Sequence, residues 1–202
     1  MTETDETTPV DGRSARRQRN IEAALDAVFE MFQEEAMMPS MEKVAARSGL
    51  SLRSLYRYFA DPAEMFEATI QRTLARAQAT GTIDDPGHGS FDDRLAVFVT
   101  TRLELHEEFG AAQQAAMVNA FDLAPARDQV ERNRIGLRTQ FELQFEPELK
   151  TRTRAERERV VAATDVLTQI ESIRYLRHHR GFTVAETRKV LTDGVRALLA
   201  AT

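Results

Sequence analysis

The most informative part of this 202-residue chain is residues 40–59, Ser40-Met-Glu-Lys-Val-Ala-Ala-Arg-Ser-Gly-Leu-Ser-Leu-Arg-Ser-Leu-Tyr-Arg-Tyr-Phe59. Ser40 is a good N-cap for a short helix over residues 41–47, because its hydroxyl can accept a hydrogen bond from a free backbone N–H. Gly49 can adopt a positive φ, which fits a tight turn. Ser51 can cap the next short helix, which reaches about Tyr58. The pattern predicts two short helices joined by a sharp turn.

The second short helix has one apolar face and one hydrogen-bonding face. Leu55 and Phe59 are four residues apart, so they share a face that can pack against a preceding helix. Most of the other side chains point outward and carry hydrogen-bond donors, namely Ser51, Arg53, Ser54, Arg57 and Tyr58. Arginine can contact guanine edges or phosphate, and hydroxyls donate to phosphate oxygens. These properties indicate a recognition helix, sized for the major groove of DNA.

A longer amphipathic helix is predicted before this motif, from about Ser14 to Glu34. Its apolar residues recur with helical spacing and form one face, namely Ile21, Leu25, Val28, Phe29 and Phe32. Residues 1–12 contain acidic and no basic side chains, so we expect an acidic disordered tail there. The basic residues that follow it, Arg13 to Arg19, fit a DNA-contacting arm or a merely solvated surface equally well.

Helix-period patterning continues to the end of the chain, and we find no convincing run of strict apolar alternation. Asp61, Pro62 and Glu64 form a start signal for a fourth helix. The clearest loop covers residues 80–89, and Gly110 is expected to interrupt the helix after it. Further helices are expected over about 90–109, 111–121, 125–147, 153–179 and 183–200. The sequence therefore predicts an all-α chain of about nine helices.

Composition narrows the possible functions. The formal net charge is −5, which disfavours DNA binding, but residues 40–59 contain four cations and only one anion. An acidic protein with a local basic face can still bind phosphate at that face. The chain has no cysteine, which removes disulfides, thiolate zinc sites and cysteine nucleophiles. No apolar run approaches the ~18 residues of a membrane span, and no secretory signal is present, so we expect a cytoplasmic protein without a membrane partner.

The sequence contains no convincing catalytic or metal motif. His106 begins a pattern like the HExxH of zinc proteases, but Gly110 stands where the second histidine would be. His178 and His179 are adjacent and point apart on a helix, which makes them a poor metal pair. We find no glycine-rich phosphate loop and no nucleophile elbow. We therefore expect no enzymatic activity, no metal and no cofactor.

In their order and spacing, these motifs resemble the tetracycline-repressor (TetR) family of transcriptional regulators over about residues 16–70. The matching features are the apolar face of the first helix, residues 40–51, and Leu55, Tyr56, Tyr58 and Phe59. The resemblance implies a helix-turn-helix DNA-binding unit of three helices at residues 13–60. It also implies a C-terminal helical bundle at residues 61–202 for effector binding and dimerisation.

The resemblance also implies which residues contact DNA, with the third helix in the major groove. These are Arg16, Arg17, Arg19, Ser40, Ser51, Leu52, Arg53, Ser54, Tyr56, Arg57 and Tyr58. Three positions depart from the family pattern. Pro62 stands where a phosphate-binding lysine is usual, Leu52 and Arg53 replace a Lys-Gly pair, and Ala36 stands where a glycine commonly ends the first helix.

The last two predicted helices carry apolar stripes wider than one intramolecular face requires. The stripe residues are Val161, Val166, Leu167, Ile170, Ile173 and Leu176 in one helix and Val184, Val190, Leu191, Val195, Leu198 and Leu199 in the other. The resemblance implies that these helices pair with those of a second copy in a homodimer. Such a dimer would present two recognition helices about 34–36 Å apart to a palindromic operator in double-stranded DNA.

The resemblance further implies a cavity for a small-molecule effector among the middle helices. Candidate ligand-binding residues are Phe98, Arg102, His106, Met117, Phe121, Phe141 and Gln169. Arg102 and His106 share a helical face and could orient an anionic or polar group. Aromatic residues at helical spacing are more often core than pocket, and a histidine such as His106 is more often a surface or core residue than a ligand contact.

Two functions follow from these features. The first is a repressor that binds a specific DNA sequence and is released from it by a small-molecule effector. The second is an all-helical dimeric sensor or protein-interaction module that has lost DNA binding. Pro62 and the acidic net charge motivate the second.

Overall fold

The computed structural model describes residues 12–34 and 37–200, and all regular structure in these ranges is helical. The all-α prediction is confirmed. Ala36 and residues 1–11 of the expected tail lie outside the described residues. The chain divides into two compact units, with the boundary between Thr69 and Ile70. No helix in the described ranges has the length and apolar character needed to cross a membrane.

The first unit contains α1 (Gly12–Glu34), α2 (Met41–Ser48), α3 (Leu52–Tyr58) and the beginning of α4 (Pro62–Gly81). The expected caps are present: Ser40 Oγ accepts from Lys43 N at 3.4 Å, and Ser51 Oγ accepts from Ser54 N at 3.1 Å. Gly49 has a φ of 70°, which is the left-handed turn that the sequence predicts. These local signals fix where α2 ends and α3 begins.

A small apolar core holds the first unit together. It is formed by one face of α1 with residues of α2, α3 and α4, among them Leu25, Val28, Phe32, Val44, Leu55 and Phe66. The rings of Phe32 and Phe66 meet edge to face with centroids 5.6 Å apart. Arg47 at the end of α2 donates to both carboxylate oxygens of Glu34 at 2.8 Å. This ion pair fastens α2 to the end of α1.

The second unit contains the rest of α4 and six further helices, α5 (Phe91–Asn119), α6 (Ala124–Gln144), α7 (Glu146–Leu149), α8 (Arg154–Thr168), α9 (Ile170–Arg174) and α10 (Val184–Ala200). A π-helical turn, Tyr175–His179, follows α9. Three phenylalanine rings lie at the centre of the core: Phe98, Phe141 and Phe145 have pairwise centroid distances of 5.2–5.7 Å. Each is at most 1% exposed.

The prediction that Gly110 interrupts a helix is wrong, because α5 runs through it without a break. A Cβ at position 110 would lie 3.0 Å from Nδ1 of His106, one turn earlier in the same helix. Gly110 therefore makes room for the imidazole ring of His106. Glycine is required at this position because it has no side chain, and its backbone conformation is that of an ordinary helix.

Two other predicted helices end earlier than expected. The helix expected to reach Pro147 ends at Gln144, and Pro147 lies in the first turn of α7, where its missing N–H does no harm. The helix expected over residues 153–179 breaks at Gln169, which has extended backbone with a ψ of 159°. Ser172 Oγ bonds to Val166 O, one of the carbonyl oxygens that the break frees.

The apolar stripes of the C-terminal helices are partly buried within the chain. Six of the twelve stripe residues are buried in the single chain: Val161, Ile170, Ile173, Leu191, Val195 and Leu199. Among the twelve, only Val166 is exposed, at 63%. The other five are half-buried, so the pairing of these helices with a second copy stays a prediction.

Candidate nucleic-acid interface and cavity

The two faces of α3 differ as the sequence predicts. Leu55 is fully buried and Phe59 is 5% exposed, so the apolar face is anchored in the core of the first unit. Arg53, Tyr56 and Arg57 are exposed on the outside. The helix has only seven residues, so packing behind it and the Ser51 cap must hold it in place.

At the start of α3, the hydroxyls of Ser51 and Ser54 are hydrogen-bonded to each other, 2.9 Å apart. Leu52 lies beside them and is exposed. Because only one of the two hydroxyl protons is used in the pair, the other can donate to an outside acceptor such as a phosphate oxygen. This end of α3 therefore offers donors next to the side chain of Arg53.

At the other end of α3, Tyr58 connects the helix to α1. Its hydroxyl accepts from Asn20 Nδ2 at 3.0 Å and from Arg57 Nη2 at 2.8 Å. The guanidinium groups of Arg57 and Arg17 lie 5.0 and 5.9 Å from the centre of the Tyr58 ring. The hydrogen bonds from Asn20 and Arg57 lower the pKa of the Tyr58 phenol. The basic start of α1 and the end of α3 are thus parts of one surface.

The bonding of Tyr58 leaves one hydrogen-bonding function unused. A phenol oxygen has two acceptor positions and one donor. Asn20 and Arg57 occupy the acceptor positions, so the O–H of Tyr58 is the group left to donate. An acceptor approaching this surface, such as a phosphate oxygen, would meet a donor fixed in place by two neighbours. Arg16 and Arg19 on α1 are exposed as well.

The start of α2 carries an anion, Glu42, to which the family resemblance assigns no role. The carboxylate of Glu42 accepts hydrogen bonds from its own backbone N–H and from the Ser40 hydroxyl, and these lower the pKa of Glu42. The resemblance assigns the N-terminus of α2 to a DNA phosphate. In the free protein a side-chain carboxylate already lies there. The signal was present in the sequence, since an acidic residue in the first helical turn favours the helix dipole.

The start of α4 offers no cation in place of the missing lysine. Pro62 is the first residue of α4, and Asp61 Oδ1 accepts from Glu64 N at 2.9 Å in an N-terminal cap. The Glu64 carboxylate in turn accepts from Ala60 N. The neighbours of Pro62 are therefore acidic caps, and the surface around α3 relies on the arginines of α1 and α3.

The second unit encloses a cavity of about 470 Å³ between α4, α5, α6 and the region of the α8–α9 break. Of the seven candidate ligand residues, Arg102 lines this cavity. Phe98 and Phe141 are buried in the aromatic core, and His106 is buried beside Gly110. Phe121 is 92% exposed, Met117 is half-buried, and Gln169 forms the α8–α9 break. The sequence therefore did not separate core, cavity and surface positions among the seven candidates.

No group of three or more potential metal ligands was found among the described residues. Such a group would consist of His, Cys, Asp or Glu side chains close enough to hold one ion. The described residues thus offer arginines and hydroxyls on one surface, and a cavity in the second unit.

Comparison with known proteins relates this geometry to a family. Residues 24–69 match the model of the bacterial regulatory proteins, tetR family. A crystal structure from Rhodococcus sp., assigned to the TetR-family transcriptional regulators, has a TM-score of 0.66 at 18% identity. The match covers 93% of this chain and 100% of that chain, and at this identity it shows the fold.

A second crystal structure, of a protein from Streptomyces coelicolor A3(2) assigned as a transcriptional regulator, matches at 21% identity. It covers 92% of this chain and 98% of that chain, but its TM-score of 0.38 is too low to support a conclusion. No curated protein matches the chain. The resemblance stated from the sequence motifs is confirmed by the family match.

Proposed function

We propose that the chain is a transcriptional repressor, because residues 24–69 match the model of the bacterial regulatory proteins, tetR family. It binds an operator in double-stranded DNA through α3 and is released by a small-molecule effector. The observation that carries the proposal is the division of α3 into two faces. Leu55 and Phe59 fix it from behind, while Arg53, Tyr56 and Arg57 are open to a duplex.

The side chains of this surface suit two kinds of contact. Arg53 lies beside the hydroxyls at the start of α3, where an arginine can donate to a guanine edge in the major groove. Tyr56, Tyr58 and the arginines of α1 are suited to phosphate oxygens, which position a protein without selecting a sequence. Binding that depends on several arginine–phosphate contacts releases counterions and weakens steeply as salt rises.

We propose that the repressor acts as a homodimer through α8 and α10, with the turn region of α9. For two copies of α3 to enter successive major grooves, they must lie about 34–36 Å apart, and the operator is then palindromic. The exposed apolar side chain of Val166 on α8 supports the proposed interface. Because half of the stripe is buried within the chain, the interface we propose is formed by the residues that remain half-exposed, such as Leu167, Val190 and Leu198.

Release by an effector follows if the effector and the operator prefer different conformations of the protein. The two ligands then lower each other's affinity by the same factor. The cavity of the second unit is the place that we propose for the effector, because it is large enough for a small molecule and lies in a well-packed helical frame.

The test is a titration of duplex DNA fragments from the promoter of the protein's own gene, followed by fluorescence anisotropy at several salt concentrations. We expect Arg53→Ala to lower the preference for the operator over unrelated DNA, and Tyr56→Phe to lower affinity for both. Arg127→Ala, an exposed arginine on α6, is the matched control. Unchanged titrations for both α3 variants would remove these side chains from the interface. Failure of the wild-type protein to bind any fragment at low salt would favour a helical sensor that has lost DNA binding.

A further inference from the structure

Arg102 is a buried cation without a described carboxylate in hydrogen-bond contact. It lies on α5, lines the cavity and is 4% exposed. Nη1 donates to Gln140 Oε1 at 2.6 Å and Nη2 donates to the carbonyl oxygen of Leu137 at 2.7 Å. Both acceptors are neutral. Nε is buried and has no hydrogen-bond partner.

The charge of Arg102 is poorly compensated inside the chain. Burial lowers the pKa of Arg102 to about 9, and the more distant Asp165 opposes this shift only in part. Asp165 is itself paired with Arg138, whose Nε lies 2.9 Å from its carboxylate. The ring of Phe98 lies 4.5 Å from the guanidinium carbon and offers a weak attraction. A buried cation with neutral neighbours is costly unless an anion joins it.

The cavity wall has cationic, neutral polar and apolar parts, and no acidic part among the described residues. Arg132 lines it together with Arg102, and its Nη2 donates to Gln129 Oε1 at 2.9 Å. Among the described residues that line the cavity, none is Asp or Glu. The apolar part of the wall comprises Leu74, Leu105, Phe109, Leu137, Ile170 and Ile173. The wall therefore suits a molecule with one anionic end and an apolar body.

We propose, in extension of the proposed function, that the effector is an organic monocarboxylate with an apolar body, and that its carboxylate pairs with Arg102 in the cavity. A carboxylate matches the planar donor arrangement of a guanidinium group. Nη1 and Nη2 each carry a second N–H beyond the bonds to Gln140 and Leu137. The predominantly apolar wall favours a small singly charged head over a larger, doubly charged phosphate ester.

Binding can be measured on the full chain without DNA, with probes that differ only in their head group. Decanoate, 1-decanol and decylamine share an unbranched apolar chain and carry an anionic, a neutral and a cationic head; 2-naphthoate and 2-naphthol form an aromatic pair. By isothermal titration calorimetry, we expect at least one carboxylate to bind about tenfold or more tightly than its neutral partner, as for a charge-assisted hydrogen bond. Equal affinity within both pairs, tighter binding of decylamine, or no binding of either carboxylate would overturn the proposal.

Two variants connect this preference to the cavity. Arg102→Gln removes the charge, and we expect it to bring the ratio of carboxylate to neutral affinity close to one. Arg188→Gln is the matched control, because Arg188 is half-buried on α10, donates to Thr100 Oγ1 at 2.6 Å and does not line the cavity. Retention of the full preference in Arg102→Gln would show that Arg102 is only a structural residue. Circular dichroism melts of both variants establish that they are folded. The comparison of head groups on the wild-type protein tests the proposal even if a variant does not fold.

A third variant tests the apolar part of the site. Gly136 lines the cavity, and a Cβ placed there would meet no atom within 4 Å. Gly136→Leu therefore adds volume at the cavity wall, from a Cβ position that has free space, and keeps Arg102. We expect weaker binding of the carboxylate and of its neutral partner, with their ratio retained. A loss of the ratio with Arg102 in place would contradict the assignment of the head group to Arg102.

The experiments distinguish a failure of the proposed ligand class from a failure of the proposed regulatory role. A carboxylate that binds with the expected preference but leaves the DNA complex intact in an anisotropy titration supports the binding site and contradicts release by this effector. Release of DNA by the neutral compounds as efficiently as by the carboxylates supports an effector-controlled repressor and overturns the assignment of the ligand class.

Discussion

The hydroxyl of Tyr58 accepts a hydrogen bond from Nδ2 of Asn20 at 3.0 Å, which joins the end of α3 to the basic half of α1. Arg57 provides a second donor to the same oxygen at 2.8 Å. The contact fixes the direction in which the remaining O–H of Tyr58 can donate. It also holds the guanidinium of Arg17 near the Tyr58 ring. Two parts of the chain that bind phosphate in our proposal are thereby positioned by one oxygen atom.

We expect Tyr58→Phe to weaken DNA binding by roughly tenfold to a hundredfold, the effect of losing one hydrogen bond to a charged acceptor. Because phosphate contacts carry no sequence information, the loss should be similar for operator and unrelated DNA. Asn20→Ala should give a smaller loss in the same direction, since it frees the tyrosine without removing its hydroxyl. Fluorescence anisotropy with both kinds of DNA measures the effect.

The control for this prediction is Thr151→Val, which removes an exposed hydroxyl of the second unit between α7 and α8. It should leave DNA binding unchanged. A Tyr58→Phe protein that binds both DNAs as tightly as the wild type would show that the hydroxyl serves only to hold α1 and α3 together.

We expect Glu42→Gln to strengthen DNA binding several-fold. The Glu42 carboxylate lies at the N-terminus of α2, where the lowered pKa of Glu42 reflects its hydrogen bonds to the backbone and to Ser40. A phosphate approaching that helix end must overcome repulsion from this carboxylate. The gain should be largest at low salt, because added salt screens the repulsion between exposed charges.

Glu67→Gln provides the control for Glu42→Gln, because Glu67 is an exposed glutamate on α4 and changes the net charge equally. A gain of the same size in both variants would trace the effect to net charge and not to the start of α2. Weaker binding in Glu42→Gln would indicate that this carboxylate orders the helix end for DNA.

The helix-turn-helix could be predicted from the sequence because each of its boundaries has a local signal. Ser40 and Ser51 cap the two short helices through hydrogen bonds three residues away, and Gly49 takes the positive φ of the turn. The break at Gln169 could not be predicted in this way. The apolar pattern continues across it, so periodicity alone indicates one long helix. The predicted helix break at Gly110 is wrong because this glycine makes room for His106 and does not turn the chain.

The surface of α3 and the cavity of the second unit also differ in how far the sequence predicts them. The exposed residues of α3 follow from one short helix whose buried face is marked by Leu55 and Phe59, so Arg53 and Arg57 could be placed correctly from sequence. The cavity depends on gaps between four or more helices, and periodicity cannot distinguish a gap from a filled core. Phe98 and Phe141 pack against each other, while Arg102 on the same helix as Phe98 borders open space.

A buried ion pair in the second unit gives a prediction about stability. Arg94 on α5, whose side chain is 6% exposed, donates to Glu148 Oε2 at 2.7 Å and to the carbonyl oxygen of Gln144 at 2.8 Å. The hydrogen bond that Arg94 donates to the Glu148 carboxylate raises the pKa of Arg94. Glu148→Gln leaves this cation buried without its counter-charge. We expect the free energy of unfolding to fall by about 3 kcal/mol, measured by urea denaturation.

The comparison for that experiment is Glu142→Gln, which breaks a solvent-accessible pair. Glu142 on α6 lies 3.3 Å from Arg157, and both side chains are more than a third exposed. We expect a change of at most about 0.5 kcal/mol, as for other surface pairs. Equal losses in the two variants would mean that burial does not set the strength of the Arg94 pair.

The burial of His106 gives a prediction about pH. Burial lowers the pKa of His106, and Arg174, Arg177 and His178 act in the same direction, while Glu107 opposes them. Between the lowered pKa and the unfolded value of about 6.5, the unfolded chain binds more protons than the folded chain, so stability falls as the pH drops through that window. Thermal melts from roughly pH 7.5 to 5 should show this decline, because carboxylates titrate mainly below that range. His106→Gln should flatten the curve, and His179→Gln, which alters an exposed histidine, should retain it. A wild-type melting temperature that stays constant across the window, or a decline that persists in His106→Gln, would assign the pH dependence to another group.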